Sequence, residues 1–338
     1  MLRIGIVGFG FMGRMHFGNW SKLPDAAVVA ICDGNADVLK NADEAVGNIE
    51  GLPETIDLSQ THFYSDYEQM LKSEQLDAVS ITLPTCLHKD FSIMALEAGV
   101  HVLCEKPMAL TLDECDEMTA AANAAGRELM IAHCIRFWPE YAKTKEIIDS
   151  GKYGKVLAAT FRRLSISPTW SSDNWLMDDS RSGGMVLDLH IHDTDFVHFV
   201  FGMPKAVYSH GTIAGNSIGH ILTRYDYGNE STITAEGSWL MSSSFGFEMS
   251  FNIALEKATI LYDCTREPLF KVCPADGGAF TPDVETGDGY LLEITHFAKK
   301  IQGKETAAVI NLAQSKKSIQ IARAEQKSVL ESKRIELE

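Results

Sequence analysis

The first 130 residues alternate between short apolar runs and longer segments with a helical spacing of apolar side chains. Short apolar runs bounded by turns predict buried strands, and the helical spacing predicts amphipathic helices. The predicted strands are Leu2–Val7, Ala27–Cys32, Asp77–Ile81, Val100–Cys104 and Leu129–His133. The predicted helices between them are Phe11–Ser21, Ala36–Val46, Tyr67–Leu71, His88–Glu97 and Leu112–Ala125, and Gly51–Thr61 is a predicted loop. This alternation predicts a Rossmann-type, doubly wound parallel sheet with helices on both faces.

After Arg136 strand patterns dominate. A connecting helix is predicted at Pro139–Ser150, followed by strands at Val156–Arg163, Ala206–Ile213, Ile221–Tyr227, Ser231–Leu240, Phe245–Leu255 and Ala258–Tyr262. Tight turns such as Tyr227–Glu230 favour antiparallel neighbours, and helices at Tyr290–Ile301 and Leu312–Leu330 follow. We therefore predict an α/β dinucleotide-binding domain over residues 1–130. Residues 131–338 are expected to form an α+β domain with a large, mainly antiparallel open sheet flanked by helices.

Composition and charge exclude several classes of protein. The chain has 338 residues and a formal charge of -16, which argues against nucleic-acid binding because phosphates require clustered Lys and Arg. No apolar stretch approaches the roughly 18 residues of a membrane helix, and the N-terminus lacks a signal-peptide pattern. The seven cysteines are scattered without metal-site or disulfide spacing, which indicates reduced thiols. We expect a soluble, cytoplasmic protein with neither a membrane nor a nucleic-acid partner.

A glycine-rich turn lies between the first predicted strand and the first predicted helix. It consists of Gly8, Phe9, Gly10, Phe11, Met12 and Gly13. In this context the glycines permit a tight turn and a close backbone approach to phosphate, and the helix N-terminus faces a dinucleotide pyrophosphate. The turn therefore predicts a dinucleotide site.

The end of the second predicted strand bears on the choice of dinucleotide. A carboxylate at Asp33 would accept hydrogen bonds from the adenosine ribose hydroxyls and repel a 2′-phosphate. No arginine follows, since the next residues are Gly34 and Asn35, so NAD is favoured over NADP. The alternative is that Asp33 only caps the helix that begins near Asn35.

Two further segments leave predicted strands at the edge where open α/β sheets bind ligands. The first is Thr82–Pro84, with His88 at the start of the next helix, and the second is Glu105–Pro107. Proline restricts Lys106 to an extended backbone, and an ammonium group there can hydrogen-bond a substrate hydroxyl and stabilise an alkoxide. The alternatives are a helix-capping role for His88 and a surface Lys-Pro turn.

A helical pattern at Met185–Phe201 carries a candidate acid–base pair. Asp188, His192 and Asp195 are expected on one face, so that Asp188 would orient His192 as a proton acceptor. His190–Asp193 also resembles a metal-chelating run, but on a helix residues two apart diverge by about 200°. We therefore predict no metal site, and a polar helix face beside a water-filled cleft remains the plainer alternative.

Taken together, these residues resemble the glucose-fructose oxidoreductase / inositol dehydrogenase family (Gfo/Idh/MocA). The matching motifs are the glycine turn, Thr82–Pro84 with His88, Glu105–Pro107, Arg136–Pro139, Gly183–Gly184 followed by Asp188, His192 and Asp195, and Glu293–Phe297. One departure is His190, since many relatives carry glycine two residues before the histidine; a larger side chain there is expected to alter the substrate pocket or supply a polar contact.

The resemblance implies an NAD(P)-dependent oxidoreductase that acts on a sugar, a polyol or a related hydroxyl. It assigns catalysis to Lys106, Asp188 and His192, with Glu105 near the nicotinamide ribose. The cofactor-binding set is Gly8, Phe9, Gly10, Phe11, Met12, Gly13, Asp33, Thr82, Leu83, Pro84, His88, Glu105, Lys106 and Arg136.

Other functions remain open from the sequence. They are a family variant that recycles NAD while cleaving a glycoside, a non-catalytic NAD-binding regulator and, more distantly, a metal-dependent hydrolase. A large antiparallel sheet with one free face commonly forms a dimer surface, so we expect a homodimer or homotetramer through the C-terminal sheet.

Overall fold

The computed structural model describes residues 1–39, 56–305 and 307–337. Their strands and α-helices are, in chain order, β1 (Leu2–Val7), α1 (Phe11–Ser21), β2 (Ala26–Cys32), β3 (His62–Tyr64), α2 (Tyr67–Ser73), β4 (Ala78–Ile81), α3 (His88–Glu97), β5 (His101–Glu105), α4 (Leu112–Ala125), β6 (Leu129–Ala132), α5 (Pro139–Asp149), β7 (Val156–Ser165), α6 (Asp179–Ser182), α7 (Ile191–Phe201), β8 (Ala206–Ala214), β9 (Ser217–Asp226), β10 (Thr232–Ser238), β11 (Phe247–Leu255), β12 (Ala258–Asp263), β13 (Phe270–Pro274), α8 (Gly289–Ile301), α9 (Leu312–Glu331) and β14 (Ile335–Glu336). Single turns of 3-10 helix lie at Ala36–Leu39, Thr85–Leu87, Cys134–Phe137 and Ser172–Met177, and a π-helical turn lies at Val186–His190.

The chain divides into two compact units. The first consists of Met1–Cys134, Trp170–Trp175 and Asp288–Lys316, and the second of Ile135–Thr169, Leu176–Gly287 and Lys317–Glu338. The first unit therefore includes α8. The division predicted from the sequence placed this helix in the domain of residues 131–338. The physical reason is packing, since the apolar face of α8 lies on α1, with the rings of Trp20 and Phe297 edge to face at 6.3 Å.

The first unit holds the expected parallel sheet. Its six strands run in the order β3-β2-β1-β4-β5-β6, and every neighbouring pair is parallel. The inner strands are largely buried, as expected for a parallel sheet with helices on both faces, whereas the edge strand β3 is partly exposed. The edge strand β3 was not predicted, since three residues are too few to show a pattern. Strand β5 runs one residue further than expected, so Glu105 is its last residue.

The second unit holds an eight-stranded sheet in the order β13-β12-β11-β7-β10-β9-β8-β14. The pair β7 and β10 is parallel and the other pairs are antiparallel, which confirms the mainly antiparallel sheet. The turn after Tyr227 joins β9 to β10 as predicted. One face is packed by an aromatic cluster in which the Tyr141 ring meets Phe196 at 4.8 Å and Phe251 at 4.9 Å.

The helix predictions had mixed outcomes. Helix α4 begins with the capping box of Thr111 and Glu114 and ends at Gly126. The helix expected at Ala36–Val46 is a 3-10 turn as far as Leu39, and its remainder lies outside the described residues. Of the predicted loop Gly51–Thr61, residues 51–55 also lie outside them, and 56–61 contain neither helix nor strand.

The helix expected at Met185–Phe201 is not continuous. It starts with the π-helical turn Val186–His190 and becomes regular only in α7. A π turn closes bonds five residues apart rather than four, so side chains on either side of it lose the regular helical register. Elsewhere, no helix in the described ranges is long and apolar enough to cross a bilayer.

Candidate active site

The glycine turn has the geometry that a dinucleotide phosphate requires. Gly8 has φ +88°, and a Cβ there would lie 2.8 Å from the Thr82 carbonyl oxygen. A Cβ on Gly13 would lie 2.1 Å from the Gly8 carbonyl oxygen. In contrast, no neighbouring atom in the described chain lies within 4 Å of a Cβ placed on Gly10. The turn is therefore closed on its protein side and open at the N-terminus of α1, where backbone N–H groups can bind phosphate.

Asp33 lies against this turn. Its Oδ2 accepts a hydrogen bond from the Phe9 backbone N–H at 2.7 Å, and its Oδ1 accepts one from the Asn35 N–H at 2.8 Å. Asp33 does not cap the 3-10 turn Ala36–Leu39, because Asn35 Oδ1 is the group that accepts a hydrogen bond from the Asp37 N–H, at 3.0 Å. Because each carboxylate oxygen can accept more than one bond and the side chain is half-exposed, the contacts of Asp33 leave acceptor capacity for a ribose hydroxyl.

Arg14 is a residue of this site that sequence reasoning missed. Its guanidinium is buried, donates to the carbonyl oxygens of Phe9 at 3.3 Å and Val38 at 2.9 Å, and lies 5.7 Å from the centre of the Phe9 ring. Arg14 therefore holds the glycine turn to the segment after β2. The available signal was its position directly after Gly13.

His88 connects the two loops at the strand edge. Its Nδ1 lies 2.8 Å from the Pro107 carbonyl oxygen and its Nε2 2.9 Å from that of Leu83. Thr82 ties the same edge to the glycine turn by donating to the Gly8 carbonyl at 2.6 Å. Burial lowers the pKa of His88, which favours the neutral ring. The structure therefore gives His88 a bracing contact in addition to its position at the start of α3.

Glu105 is buried and bonded to neighbouring protein groups, and its expected place near the nicotinamide ribose stays a prediction. Its Oε1 lies 3.0 Å from His16 Nε2, and its Oε2 accepts a hydrogen bond from the Lys106 backbone N–H at 3.1 Å. Lys106 itself is half-buried between the buried residues Glu105 and Pro107. A third buried group, Glu293 of α8, lies beside them.

Sequence reasoning did not identify His16, and it named Glu293 only as the first residue of the Glu293–Phe297 motif, without a role. A usable signal for Glu293 was its place on the apolar stripe of α8, where Tyr290, Ile294 and Phe297 are buried. A charged residue at such a position calls for an explanation.

In the second unit, Asp188 and His192 stand out by their exposure. Over Val186–His198 they are the two residues that are not buried. The candidate acid–base pair is therefore accessible on a segment whose other side chains face the interior. Both side chains have interactions within the structure.

Asp195 does not share that accessible face, so this expectation was wrong. It is 1% exposed, and Arg136 holds it by two hydrogen bonds of 2.8 Å, while Ser318 donates to it at 2.7 Å. The guanidinium of Arg136 is thereby buried and also lies 4.5 Å from the centre of the Phe199 ring. We expected Arg136 to contact a cofactor, but its side chain is occupied by this pair.

The residues of the possible chelating run have separate surroundings. Asp193 pairs with Arg163 of β7 through contacts of 2.9 and 3.1 Å. His190 is fully buried, with Nε2 3.6 Å from Glu325 of α9 and Nδ1 2.7 Å from where a Cβ on Gly237 would lie. His190 thus lies in the core of the second unit, and the expectation that it alters a substrate pocket or supplies a polar contact stays a prediction.

Comparison with known proteins supports the same fold. Residues 2–133 match the family model described as oxidoreductase family, NAD-binding Rossmann fold, and residues 141–261 match the GFO/IDH/MocA C-terminal domain. Myo-inositol 2-dehydrogenase of Thermotoga maritima is 26% identical over 100% of this chain and 99% of its own length. Scyllo-inositol 2-dehydrogenase (NAD(+)) of Bacillus subtilis is 26% identical over 92% and 89%. A solved levoglucosan dehydrogenase, in complex with NADH and levoglucosan, superposes with a TM-score of 0.84 at 20% identity and covers 99% of both chains.

Proposed function

The chain belongs to the Gfo/Idh/MocA family of oxidoreductases, and on this premise we propose that it transfers a hydride between NAD and a secondary hydroxyl or ketone of a sugar or polyol. The observation that carries the proposal is the glycine turn, closed around Gly8 and Gly13 and open at Gly10. The names of the inositol dehydrogenase relatives support the class of substrate.

The first unit would hold the cofactor. The N-terminus of α1 and the open side of Gly10 suit the pyrophosphate. Asp33 would accept hydrogen bonds from the adenosine ribose, and the repulsion between its carboxylate and a 2′-phosphate supports NAD over NADP. A bound nicotinamide supplies a hydride acceptor at its ring.

The chain's own groups would handle the proton. Lys106 would donate a hydrogen bond to the reacting oxygen and stabilise the negative charge that develops there. His192 would accept the hydroxyl proton, and Asp188 would orient the ring and stabilise its charged form. The exposure of Asp188 and His192 among buried neighbours supports these roles.

The test measures turnover and NAD binding separately. We expect Lys106→Met and His192→Asn to lower kcat by roughly 10²–10⁴-fold, the range for a lost acid–base group, while the Kd for NAD changes little. Lys89→Met is the matched control, since Lys89 is a surface lysine paired with Asp90 and Glu117. Full activity of either active-site variant would refute the assignment.

A panel of sugars, polyols and glycosides, followed by NADH formation, would identify the substrate. Oxidation of a hydroxyl produces NADH in proportion to the substrate consumed. Cleavage of a glycoside that requires NAD but gives no net NADH would instead select the NAD-recycling reaction.

We further propose that the protein is cytoplasmic and that it forms a homodimer or homotetramer through the outer face of its eight-stranded sheet. All seven cysteines are free thiols, which supports a reducing compartment. Buried residues alternate with more exposed ones over Val207–His210 of β8 and over the second half of β9, and Tyr208 and Leu222 are 38% and 44% exposed. Large apolar side chains on one sheet face support an interface there.

A further inference from the structure

Three ionisable side chains are buried together in the first unit behind the end of β5. They are His16 of α1, Glu105 of β5 and Glu293 of α8, and their exposed fractions are 0%, 6% and 0%. Each offers a donor or acceptor atom within 4.8 Å of the others. Burying such groups is costly unless they are paired, so the cluster requires a reason.

Glu105 links this cluster to the proposed catalytic lysine. A carboxylate only accepts hydrogen bonds, so His16 donates from Nε2 to Oε1 at 3.0 Å, and the Lys106 backbone donates to Oε2 at 3.1 Å. His16 lies in α1, the helix that begins at the glycine turn. One carboxylate therefore connects the helix proposed to bind phosphate with the backbone of Lys106.

Glu293 completes the cluster without a hydrogen bond of its own. Neither of its carboxyl oxygens has a hydrogen-bond partner among the described residues, although the side chain is fully buried and directed at Glu105. Two neighbouring carboxyl groups in a buried site do not both ionise readily. One proton is therefore expected to stay within the pair.

The environments of Glu105 and Glu293 differ, and this difference determines which of the two carboxyl groups is protonated. Burial and the charge of Glu105 raise the pKa of Glu293 well above its ordinary value. Burial also acts to raise the pKa of Glu105, but the hydrogen bond and charge of His16, together with Lys106, outweigh it and lower that pKa. These directions favour Glu293 as the neutral acid and Glu105 as the carboxylate. The geometry agrees, since Glu105 lies within hydrogen-bond distance of His16 and the Lys106 N–H whereas Glu293 has no hydrogen-bond partner among the described residues.

We propose that His16 and Glu293 are positioning residues for Lys106 that act through the Glu105 carboxylate. His16 holds one oxygen of Glu105, which leaves the other oriented at the Lys106 N–H. A neutral Glu293 leaves Glu105 as the single negative charge in the cluster. An ionised Glu293 would repel the Glu105 carboxylate and weaken its hydrogen bond with the Lys106 N–H. The inference rests on the proposed function in one respect, the contact of Lys106 with the reacting oxygen.

The other charged and titratable groups around the cluster are few in the part of the chain that the structure describes. The charge of Asp288 also raises the pKa of Glu293. The Asp288 side chain is held at the start of α8, where it accepts a hydrogen bond from the Leu291 N–H at 2.8 Å. Burial raises the pKa of Tyr290 well above its ordinary value, so that it stays neutral. Burial lowers the pKa of His88, which lies beside the Pro107 carbonyl, and so favours its neutral form. Apart from His16, which is hydrogen-bonded to Glu105, Glu293 is thus the neighbour of Glu105 whose ionisation would change the charge balance.

Hydrogen exchange of the Lys106 amide tests the proposal without an activity assay. After correction for intrinsic exchange, His16→Leu and Glu105→Leu should speed exchange by roughly tenfold to a hundredfold, the range for one lost hydrogen bond to a charged group. His16→Gln, whose side-chain N–H can replace Nε2–H, should restore most of the protection. Equal protection in His16→Leu and the unmodified protein would overturn the proposal.

The variant Glu293→Gln tests whether Glu293 acts as a neutral acid or as a carboxylate. Gln resembles a protonated Glu, so the Lys106 amide should stay protected at neutral pH in this variant. At high pH, ionisation of Glu293 should speed hydrogen exchange of that amide in the unmodified protein, and Glu293→Gln should lack this acceleration. Loss of protection in Glu293→Gln at neutral pH, or an unchanged pH dependence, would show that Glu293 does not act as the neutral acid.

Thermal unfolding against pH gives a second readout with a defined sign. The folded pKa of Glu293 exceeds its unfolded value, so its contribution to stability is present below the unfolded pKa and is lost as pH rises through the folded one. The Tm of Glu293→Gln relative to the unmodified protein should therefore increase with pH. Glu105→Gln should show the opposite slope, because the lowered pKa of Glu105 adds stability that is lost as pH falls. Slopes of the same sign would contradict the assignment of the proton.

A divalent cation held by the same three side chains is the competing explanation. Protein dialysed with and without EDTA, followed by metal analysis and Lys106 exchange, distinguishes the two. If the protein holds stoichiometric metal that is lost in Glu293→Gln, and if Lys106 exchange is faster after chelation, then a bound cation rather than a proton on Glu293 organises the cluster. Should Lys106→Met retain full turnover, the proposed function fails, while the exchange results still decide the role of the cluster.

Discussion

Asp33 shows how one side chain can serve two contacts at the same time. Sequence reasoning treated a ribose contact and a capping contact as alternatives. In the structure its two oxygens accept hydrogen bonds from the Asn35 N–H and from the Phe9 N–H of the glycine turn, while Asn35 rather than Asp33 caps the 3-10 turn Ala36–Leu39. Since a carboxylate has about four acceptor sites, these two contacts and a ribose contact are compatible.

Replacement of Asp33 should therefore change the choice of dinucleotide. In Asp33→Ser the negative charge that repels a 2′-phosphate is gone and one acceptor for the ribose is lost. We expect the ratio of Kd for NADP to Kd for NAD to fall by roughly tenfold, in line with about 1–3 kcal/mol for such a polar contact. Fluorescence titration with NADH and NADPH measures it, with the exposed loop residue Asp57→Ser as control. An unchanged ratio would reject the ribose role.

Helix α7 is held from within the second unit by two buried arginine–aspartate pairs. Arg163 of β7 binds Asp193, and Arg136 binds Asp195, each through two hydrogen bonds. These pairs anchor the helix that follows the π turn and carries His192. Neighbouring positions on β7 alternate in direction, so Arg162 faces outward and pairs with Glu236 at 2.8 Å.

The two adjacent arginines of β7 provide a matched experiment. Arg163→Met leaves Asp193 buried without its partner and should lower the free energy of unfolding by about 3–5 kcal/mol. Arg163→Met with Asp193→Leu should recover most of that loss, because no buried charge remains. Arg162→Met should cost no more than about 1 kcal/mol, since its ion pairs are partly exposed. Denaturant unfolding measures all three, and similar losses for Arg162→Met and Arg163→Met would contradict the assignment.

For the whole molecule, the outer face of the eight-stranded sheet is the proposed assembly surface. An open sheet packs one face on its own core and leaves the other to water or to a partner. Here the outer face combines large apolar side chains such as Leu222 with ion pairs of Arg162 to Glu236 and Glu248. This mixture of apolar and charged groups is typical of protein interfaces.

A charge placed on this face should disrupt assembly. Leu222→Glu would bury a carboxylate between subunits, and we expect the molar mass in solution to fall toward that of a 37.3 kDa chain. Leu330→Glu is the control, because Leu330 is 70% exposed on α9. Light scattering coupled to size-exclusion chromatography gives the mass. An assembly that is unchanged in Leu222→Glu would place the interface elsewhere.

The signals that could be read along the chain were local ones. The glycine turn, the helix at Leu112–Ala125 and the strands of the first domain depend on residues within a few positions of one another, so periodicity and turn chemistry predicted them. The strands β3 and β14 have too few residues to show a period, and β13 was not predicted either. The π turn at Val186–His190 has no sequence pattern of its own and was predicted as ordinary helix.

Contacts between distant residues could not be predicted in this way. The sequence placed Asp188, His192 and Asp195 on one helical face, but Arg136, 59 positions from Asp195, holds that carboxylate in the core. It likewise could not show that Glu293 joins Glu105 and His16, or that α8 packs in the first unit. Local order follows from backbone preferences and spacing, whereas the partner of a buried charge depends on which distant segments the fold brings together.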